Sequence, residues 1–452
     1  MSKAVRILIG LSILLALLIP LSTASAQLGA YGSSFQVQNL ENAQASIVIE
    51  FIDKNGNTAA TVSDNIAAGG SNTYFAVITP GLPDTFDGSA VISSDKKIRA
   101  IHNLDAGGFV YGASSSGYTA GSSPVSLPLI MRGNSGFNTW FNVQNAGSGP
   151  ATVSVVFKRG SDGNDWTHPN VTIAAGAAYT FDQADMTSLG TKFIGSATVT
   201  SNEPVVATVV EVGPNTLYAY DGFAAGDPDI IGPLFQYNNA GFSSSVQVQN
   251  IGTQSTAVTL QYTPSFAGVA CQETQTIGAG AAGTFGLFAF ALAGNDCYTR
   301  NGTSAFVGSV TVKTNTASQD LVAIVNQHNF ATGKASAYSA FRPDEAKQCT
   351  SLPLIMDRNS NYWTGLSIYN AGAATNVTID YSGFGTAADV VLQMGAGDTE
   401  IVLNQNAIRA GYVGSASVCG ANATDQILVI VNEQNLTVSG DQLFTYNGFP
   451  LD

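Results

Sequence analysis

Few side chains in this 452-residue chain could drive chemistry: three histidines, four cysteines, and 17 basic and 31 acidic residues that make up only 11% of the total. His102, His168 and His328 are the only imidazoles, and a Ser/His/Asp hydrolase would need one of them held between a serine and a carboxylate. No local motif marks such a set, no H-E-x-x-H is present, and no two carboxylates are framed by a cleft-forming motif. The expectation is a protein that is not an enzyme. Gly278 to Gly283 reads GAGAAG and matches the G-x-G-x-x-G fingerprint, but that loop holds phosphate only between a strand and the start of a helix. Here the strand formers Thr284 and Phe285 follow it. Asp53-Lys54-Asn55-Gly56-Asn57 and Asp162-Gly163-Asn164-Asp165 carry oxygen atoms of the kind Ca²⁺ takes, yet they lie between apolar runs, where these residues make hairpin turns. The turn is the preferred reading, and neither a metal nor a cofactor is expected. The cysteines fall as Cys271 with Cys297 and Cys349 with Cys419, without the C-x-x-C spacing of a zinc site, so two disulfides are expected.

Strands have to position all of these residues. Tyr31 to Asn39, YGSSFQVQN, returns at Phe137 to Asn145, Phe242 to Asn250 and Tyr362 to Asn370. Each copy has an aromatic first, Ser or Thr third, apolar residues fifth and seventh, and Asn ninth. Side chains on a strand alternate faces, so the odd positions share one side, and that side is predicted to be buried. The even positions, Gly32, Ser34, Gln36 and Gln38 or Asn138, Trp140, Asn142 and Gln144, are predicted to face water, the pattern of an antiparallel sheet with one wet face. Gly147, Gly252 and Gly372, two residues beyond the ninth Asn, predict a tight turn with positive φ. Trp140 at position four, with Trp363 and Tyr369 at positions two and eight of the last copy, stands on the wet side. These three are the candidate contact residues, for sugar rings or for another protein subunit, with coverage by a second sheet, a long loop or an adjoining domain as the alternative.

Other columns repeat in step. An Ala-Gly pair closes Ile66 to Gly69, Ile173 to Gly176, Ile277 to Gly280 and Met394 to Gly397. An aromatic-x-Gly-Ser run follows at Phe86 to Ser89, Phe193 to Ser196, Phe306 to Ser309 and Tyr412 to Ser415. Tyr-x-small-Phe ends three units, at Tyr220 to Phe223, Tyr338 to Phe341 and Tyr446 to Phe449, and the first has no clean copy. From Tyr31 to Phe137, Phe242 and Tyr362 the steps are 106, 105 and 120 residues, and no segment has a sustained helical period. The expected fold is therefore all-β: four tandem immunoglobulin-like antiparallel β-sandwiches after a signal peptide. The boundaries are drawn at 1–26 for the signal and 27–118, 119–226, 227–344 and 345–452 for the sandwiches. They are expected to sit like beads on a string, with a Ser/Gly-rich linker at Ala113 to Ser126. Units two to four open on Leu127 to Met131, Gly232 to Phe235 and Leu352 to Met356, where the first has only Gln27 to Ala30. The missing strand would leave an edge for another subunit to complete, unless a short irregular N-terminus covers it.

Lys3 and Arg6, the apolar run Ile7 to Leu21 and the A-x-A site Ala24 to Ala26 read as a secretory signal cleaved after Ala26, leaving no integral membrane span. Removing two basic residues leaves 15 against 31 acidic ones, a net charge of −16. That sign disfavours nucleic acid as a partner. Signal, tandem signature strands and low charge together resemble the immunoglobulin-like repeat proteins that bacteria place on their surfaces as layer, stalk or adhesin components. The resemblance implies an extracellular or cell-surface location and a structural or adhesive role as a spacer or assembly subunit. Its implied partners are other protein subunits, including copies of itself, or cell-surface glycans. The alternatives are a secreted carbohydrate-binding protein using Trp140, Trp166 or Trp363, and an accessory module array for an extracellular hydrolase.

Overall fold

The computed structural model describes residues 28, 30–160, 163–316, 318–384, 389–435 and 437–451; the predicted signal and Asp162 lie outside the described residues. Its first strands are β1 (Tyr31–Asn39), β2 (Ala45–Asp53), β3 (Thr58–Ile66), β4 (Ser71–Phe75), β5 (Gly88–Ser94), β6 (Ile98–Ala106) and β7 (Tyr111–Ser116). Next come β8 (Val125–Arg132), β9 (Asn138–Asn145), β10 (Ala151–Arg159), β11 (Asp165–Ile173), β12 (Ala178–Asp182), β13 (Phe193–Ser201), β14 (Val205–Val212) and β15 (Leu217–Asp221). The third set is β16 (Asp229–Tyr237), β17 (Phe242–Asn250), β18 (Thr256–Ala267), β19 (Cys271–Ile277), β20 (Ala282–Phe285), β21 (Phe306–Thr314), β22 (Leu321–Asn329) and β23 (Lys334–Ser339). The last is β24 (Cys349–Asp357), β25 (Tyr362–Asn370), β26 (Thr375–Tyr381), β27 (Val390–Met394), β28 (Thr399–Leu403), β29 (Tyr412–Gly420), β30 (Ile427–Asn435), β31 (Leu443–Asn447) and β32 (Phe449–Leu451). Two short helices that no periodicity announced, Leu287–Ala291 and Asp296–Asn301, sit between β20 and β21.

The strands form antiparallel sheets that come in pairs. Orders β4-β1-β6-β7, β12-β9-β14-β15, β20-β17-β22-β23 and β28-β25-β30-β31 make one sheet of each pair. The other sheet is β3-β2-β5, β11-β10-β13-β8, β19-β18-β21-β16 or β27-β26-β29-β24-β32. Odd positions of the signature strand point between the sheets: Phe141 and Val143 are fully buried, packed with Val155, Phe157 and Phe181.

The ninth-position Asn does not turn the chain by positive φ, for neither it nor the glycine two residues on has left-handed φ. It is a buried latch. Asn250 Nδ2 donates to the carbonyls of Gln254, Ile277 and Gly278 at 2.7–3.2 Å, and its Oδ1 accepts the Gly252 N–H at 3.0 Å. Asn39, Asn145 and Asn370 repeat the arrangement. One side chain thereby satisfies backbone groups that would otherwise be buried without partners.

The opening strands explain two more columns. Two residues of β8, Pro128 and Leu129, lie between the pairings Leu127–Ala197 and Ile130–Gly195, a bulge in which proline's missing N–H costs nothing. Tyr220 closes the bulge, taking the Leu129 N–H at 3.1 Å and donating to its carbonyl at 2.7 Å. Tyr338 and Tyr446 hold Leu234 and Leu354 in the same way.

The four pairs are not strung out like beads. Strands β7, β15, β23 and β31 pack around a common axis, β7 against β15 and β31, and β23 against the same two. Ser89 Oγ donates to the Gly176 carbonyl, Ser196 to Gly280 and Ser415 to Gly69, at 2.5–2.9 Å, so the fourth pair closes on the first. At the remaining joint Thr399 Oγ1 donates to the Pro233 carbonyl at 3.0 Å. The Gly-Ser and Ala-Gly columns are thus the two halves of a head-to-tail contact, which generates a ring when its rotation closes. The two ends of the expected flexible linker are strand: β7 runs to Ser116 and β8 starts at Val125, and Ala113, Ser114 and Ser115 are buried.

Small residues make this approach possible. A Cβ on Gly112 would lie 2.0 Å from the buried Phe444 ring of the fourth pair. Gly112→Val is expected to lower stability by about 1–3 kcal/mol through overpacking, read as a lower denaturation midpoint; an unchanged midpoint would mean that the axis is not close-packed.

Candidate functional site

Ring closure decides where the candidate contact residues lie. Trp363 and Tyr369 are each only 7% exposed, and Tyr369 packs into the cluster centred on the third pair. Trp140 is half-buried, edge-on to Tyr31 of the first pair at 5.7 Å between ring centroids. The expectation that these aromatics face solvent is corrected: Trp363 and Tyr369 are buried, Tyr369 against the third pair, and Trp140 is partly covered by Tyr31 of the first. The same burial takes Gln36, Gln38, Gln247 and Gln249 out of water. Both expected disulfides form, Cys271–Cys297 and Cys349–Cys419, the first tying β19 to the helix at Asp296–Asn301.

The glycine-rich Gly278 to Gly283 joins two strands, β19 and β20, so it meets no helix start. Asp53 Oδ1 accepts the N–H groups of Asn55 and Asn57 at 2.8 and 2.9 Å, the work of a hairpin turn, and these bonds hold its carboxyl below the usual range. Two open cavities stand out. One of about 530 Å³ is lined by Arg159, Asn164, Asp165, Trp166, Ser188, Leu189 and Phe193. The other, about 450 Å³, lies where hairpins from all four pairs meet at the axis, around Tyr111, Asn215, Thr332 and Ser439.

Buried carboxyl groups line the joints. Pairing register sets Leu104, Glu211, Gln327 and Glu433 opposite the third residue of each signature strand, one residue beyond Asn103, Val210, Asn326 and Asn432. Asn326 Nδ2 donates to Glu211 Oε2 at 2.9 Å, and Asn103 Nδ2 to Glu433 Oε2 at 3.3 Å, each across a joint. Gln327 and Asn432 exchange two amide bonds of 3.2 and 3.4 Å. At the fourth joint the pair is apolar, Leu104 with Val210. Glu211 Oε1, Glu433 Oε1 and Asn326 Oδ1 have no partner among the described residues. Burial pushes both glutamates up to about 8, the asparagine bond only partly opposing it. Both are neutral acids at neutral pH, isosteric with Gln327.

The first pair departs from the others around His102. Register places His102 where the other pairs have Val209, Val325 and Val431. Its Nε2 lies 3.1 Å from Ser33 Oγ and its Nδ1 3.4 Å from Ser115 Oγ. Burial lowers its pKa to about 4, so the ring is neutral. A serine behind Nδ1 cannot stabilise an imidazolium as a buried carboxylate would, so the trio offers hydrogen bonds rather than an activated nucleophile. Ser115 occupies the place of the bulge-closing Tyr220, Tyr338 and Tyr446. The sequence holds the signal for this, in the missing Tyr-x-small-Phe ending, but the register is needed to read it.

The class of structure defined here is an all-β assembly of paired antiparallel sheets. No protein-family model matches the chain, and no curated protein does. A part of it is similar to a structure titled "Crystal Structure of Thermotoga maritima 1070", at 23% identity over 23% of this chain and 96% of that one, with a TM-score of 0.20.

An acid whose folded pKa lies above its unfolded value keeps a proton that the unfolded chain releases, so stability falls as pH rises between the two values. Melting temperature should therefore drop from about pH 4.5 to about pH 8, with Asp221, pushed up to about 6, and the raised Asp441 acting in the same sense. Replacing both glutamates, Glu211→Gln with Glu433→Gln, should flatten that slope and raise the melting temperature at pH 8 while changing little at pH 4. Thermal melts at three pH values check it, and a slope as steep as the wild type's would refute it.

Proposed function

We propose that this chain is an exported, non-enzymatic structural or adhesive protein of the bacterial cell surface, built of four immunoglobulin-like sandwiches in tandem. The observation that carries the reading is closure: one contact, a serine hydroxyl on a glycine carbonyl, is used at three of the four joints, the one where the last unit meets the first included, and a threonine hydroxyl on the Pro233 carbonyl serves the remaining joint. A closed ring cannot extend as a spacer, which favours the role of an assembly subunit with other proteins or with itself. Two disulfides are typical of extracellular proteins, and the acidic, charge-poor composition fits a role without nucleic acid. No helix among the described residues is long and apolar enough to cross a membrane.

A specific observation keeps carbohydrate binding as a second reading. Trp166 lines the open cavity of the second pair beside Arg159 and Asp165, with its ring packed on Phe157 at 5.4 Å.

Electron microscopy of the native cell envelope and culture supernatant, labelled for this chain, tests the proposal. Label on the envelope, with ordered assemblies formed by the purified protein and no retention on a glycan array, is the expected result. Label confined to the cytoplasm would overturn it; glycan binding lost on Trp166→Ala would give the second reading its place.

A further inference from the structure

Among the described residues the first sheet pair is one strand short. Sheet β3-β2-β5 ends at β5, whereas in the other pairs the equivalent strands β13, β21 and β29 each carry a further strand, β8, β16 or β24. Among the described residues nothing pairs with the outer edge of β5. The deficit reaches the core. Ala90, Ile92, Ile98 and Ala100 are only partly buried, while the residues in the same register elsewhere, such as Ala197, Val199, Val205 and Ala207, are at most 1% exposed. The described chain leading into β1 does not fill the gap, because Leu28 packs with Leu104, Val210 and Leu217 at the joint with the second pair.

Three seated strands show what fits such a cleft. Each is extended, bulged at a proline and apolar: in β8, Leu127 and Ile130 are fully buried and Leu129 and Met131 nearly so. Each also meets a hydroxyl from signature position three, Thr139 on the Met131 N–H at 3.0 Å, Ser244 on the Gln236 N–H at 3.0 Å and Thr364 on the Met356 N–H at 3.3 Å. The first pair keeps that hydroxyl in Ser33, and backs it with His102 and Ser115 instead of a valine and a tyrosine. Ser33 and His102 are half-buried at the open side of the core, so the cleft retains polar atoms for a strand backbone.

We infer that the cleft between β5 and β6 is a binding site for an extended, uncharged apolar segment of another exported protein chain, added as a fourth strand to β5. This rests on the reading of the chain as an exported assembly protein, and it names the kind of partner that reading needs. Backbone hydrogen bonds along the free edge supply affinity, and the partly exposed Ala90, Ile92, Ile98 and Ala100 select apolar side chains on alternate positions. A second copy of this chain is not the donor, because its own opening strands and its closing β32 are already paired.

The probe is a fluorescent peptide with the β8 sequence Val125 to Arg132, titrated into the protein from Gln27 onward. Saturable one-to-one binding is expected, with an upward shift in melting temperature, and no binding of the same peptide with both leucines changed to aspartate. Ile92→Arg should weaken binding by about tenfold or more, roughly 1.4 kcal/mol. A graft of residues 125–136 ahead of Tyr31 should raise the melting temperature and abolish peptide binding, which keeps the test open if the arginine variant fails to fold. Absent binding together with an inert graft, or binding undiminished in folded Ile92→Arg, would overturn the inference. So would N-terminal sequencing of the native protein that found residues 19–26 retained, which would make the chain its own donor. None of these results depends on where the protein resides, so they stand apart from the envelope labelling.

Discussion

Close packing at the axis is the constraint on which the rest of the structure depends. Four last strands can meet there only if small side chains face large ones, and Gly112, Ala113, Ser114, Ala219, Ala335 and Ala337 leave the room that Phe444 of β31 takes. Once they meet, the outer faces of the signature sheets are pressed against their neighbours, and whatever sits on those faces must be content without water. Amides and hydroxyls are the economical solution, since burying one with a partner costs far less than burying a charge. Gln38 accepts from Ser351, and Gln249 donates to the Gly280 carbonyl at 3.3 Å, each across or beside a joint. The low charge of the chain follows from this geometry as much as from any environment outside it.

The glutamates at the joints extend the same argument. A carboxyl group paired with an asparagine in a dry interface is tolerable only as the neutral acid, and the chain itself provides the comparison. Gln327 with Asn432 makes two reciprocal bonds, and Leu104 with Val210 makes none. Three chemistries thus serve equivalent places in one ring. The joint tolerates any pair that leaves no charge behind, and the steric fit at the axis sets the geometry.

Much of this fold was legible in the amino-acid order. Period-two alternation puts the signature strands where β1, β9, β17 and β25 lie, whereas β11 is hard to see because Pro169 and the polar Asp165 to His168 disguise an edge strand. The disulfide pairs and the missing opening strand were also readable. The burial of the even face was not, because Gln, Asn and Ser are chosen equally by water and by a neutral interface, and alternation cannot tell them apart. Trp363 and Tyr369 were the warning: large aromatics on a nominally wet face mark a covered surface. The asparagine column misled for a related reason, since an Asn near a Gly suits both a positive-φ turn and a buried latch. His102 needed the strand register, which is set by pairing across more than sixty residues.

The asymmetry of the first pair is where form meets purpose. A ring of like joints presents each of its surfaces several times over and cannot direct a partner to one place. Here, among the described residues, the first pair lacks the opening strand, has Ser115 where the others have the strand-closing tyrosine and His102 where they have a core valine, and meets the second pair through an apolar rather than a polar contact. These changes lie on different strands, yet they surround one cleft and the joint beside it, which is what a single adapted site requires and what scattered drift would not produce. The remaining three pairs are closed by their own opening strands, and Ser89 anchors β5 of the first pair to Gly176 of the second, so the ring holds the free edge in place. A cleft kept open by its surroundings loses little entropy on receiving a strand, and preorganisation of this kind is what turns an unpaired edge into a specific receptor.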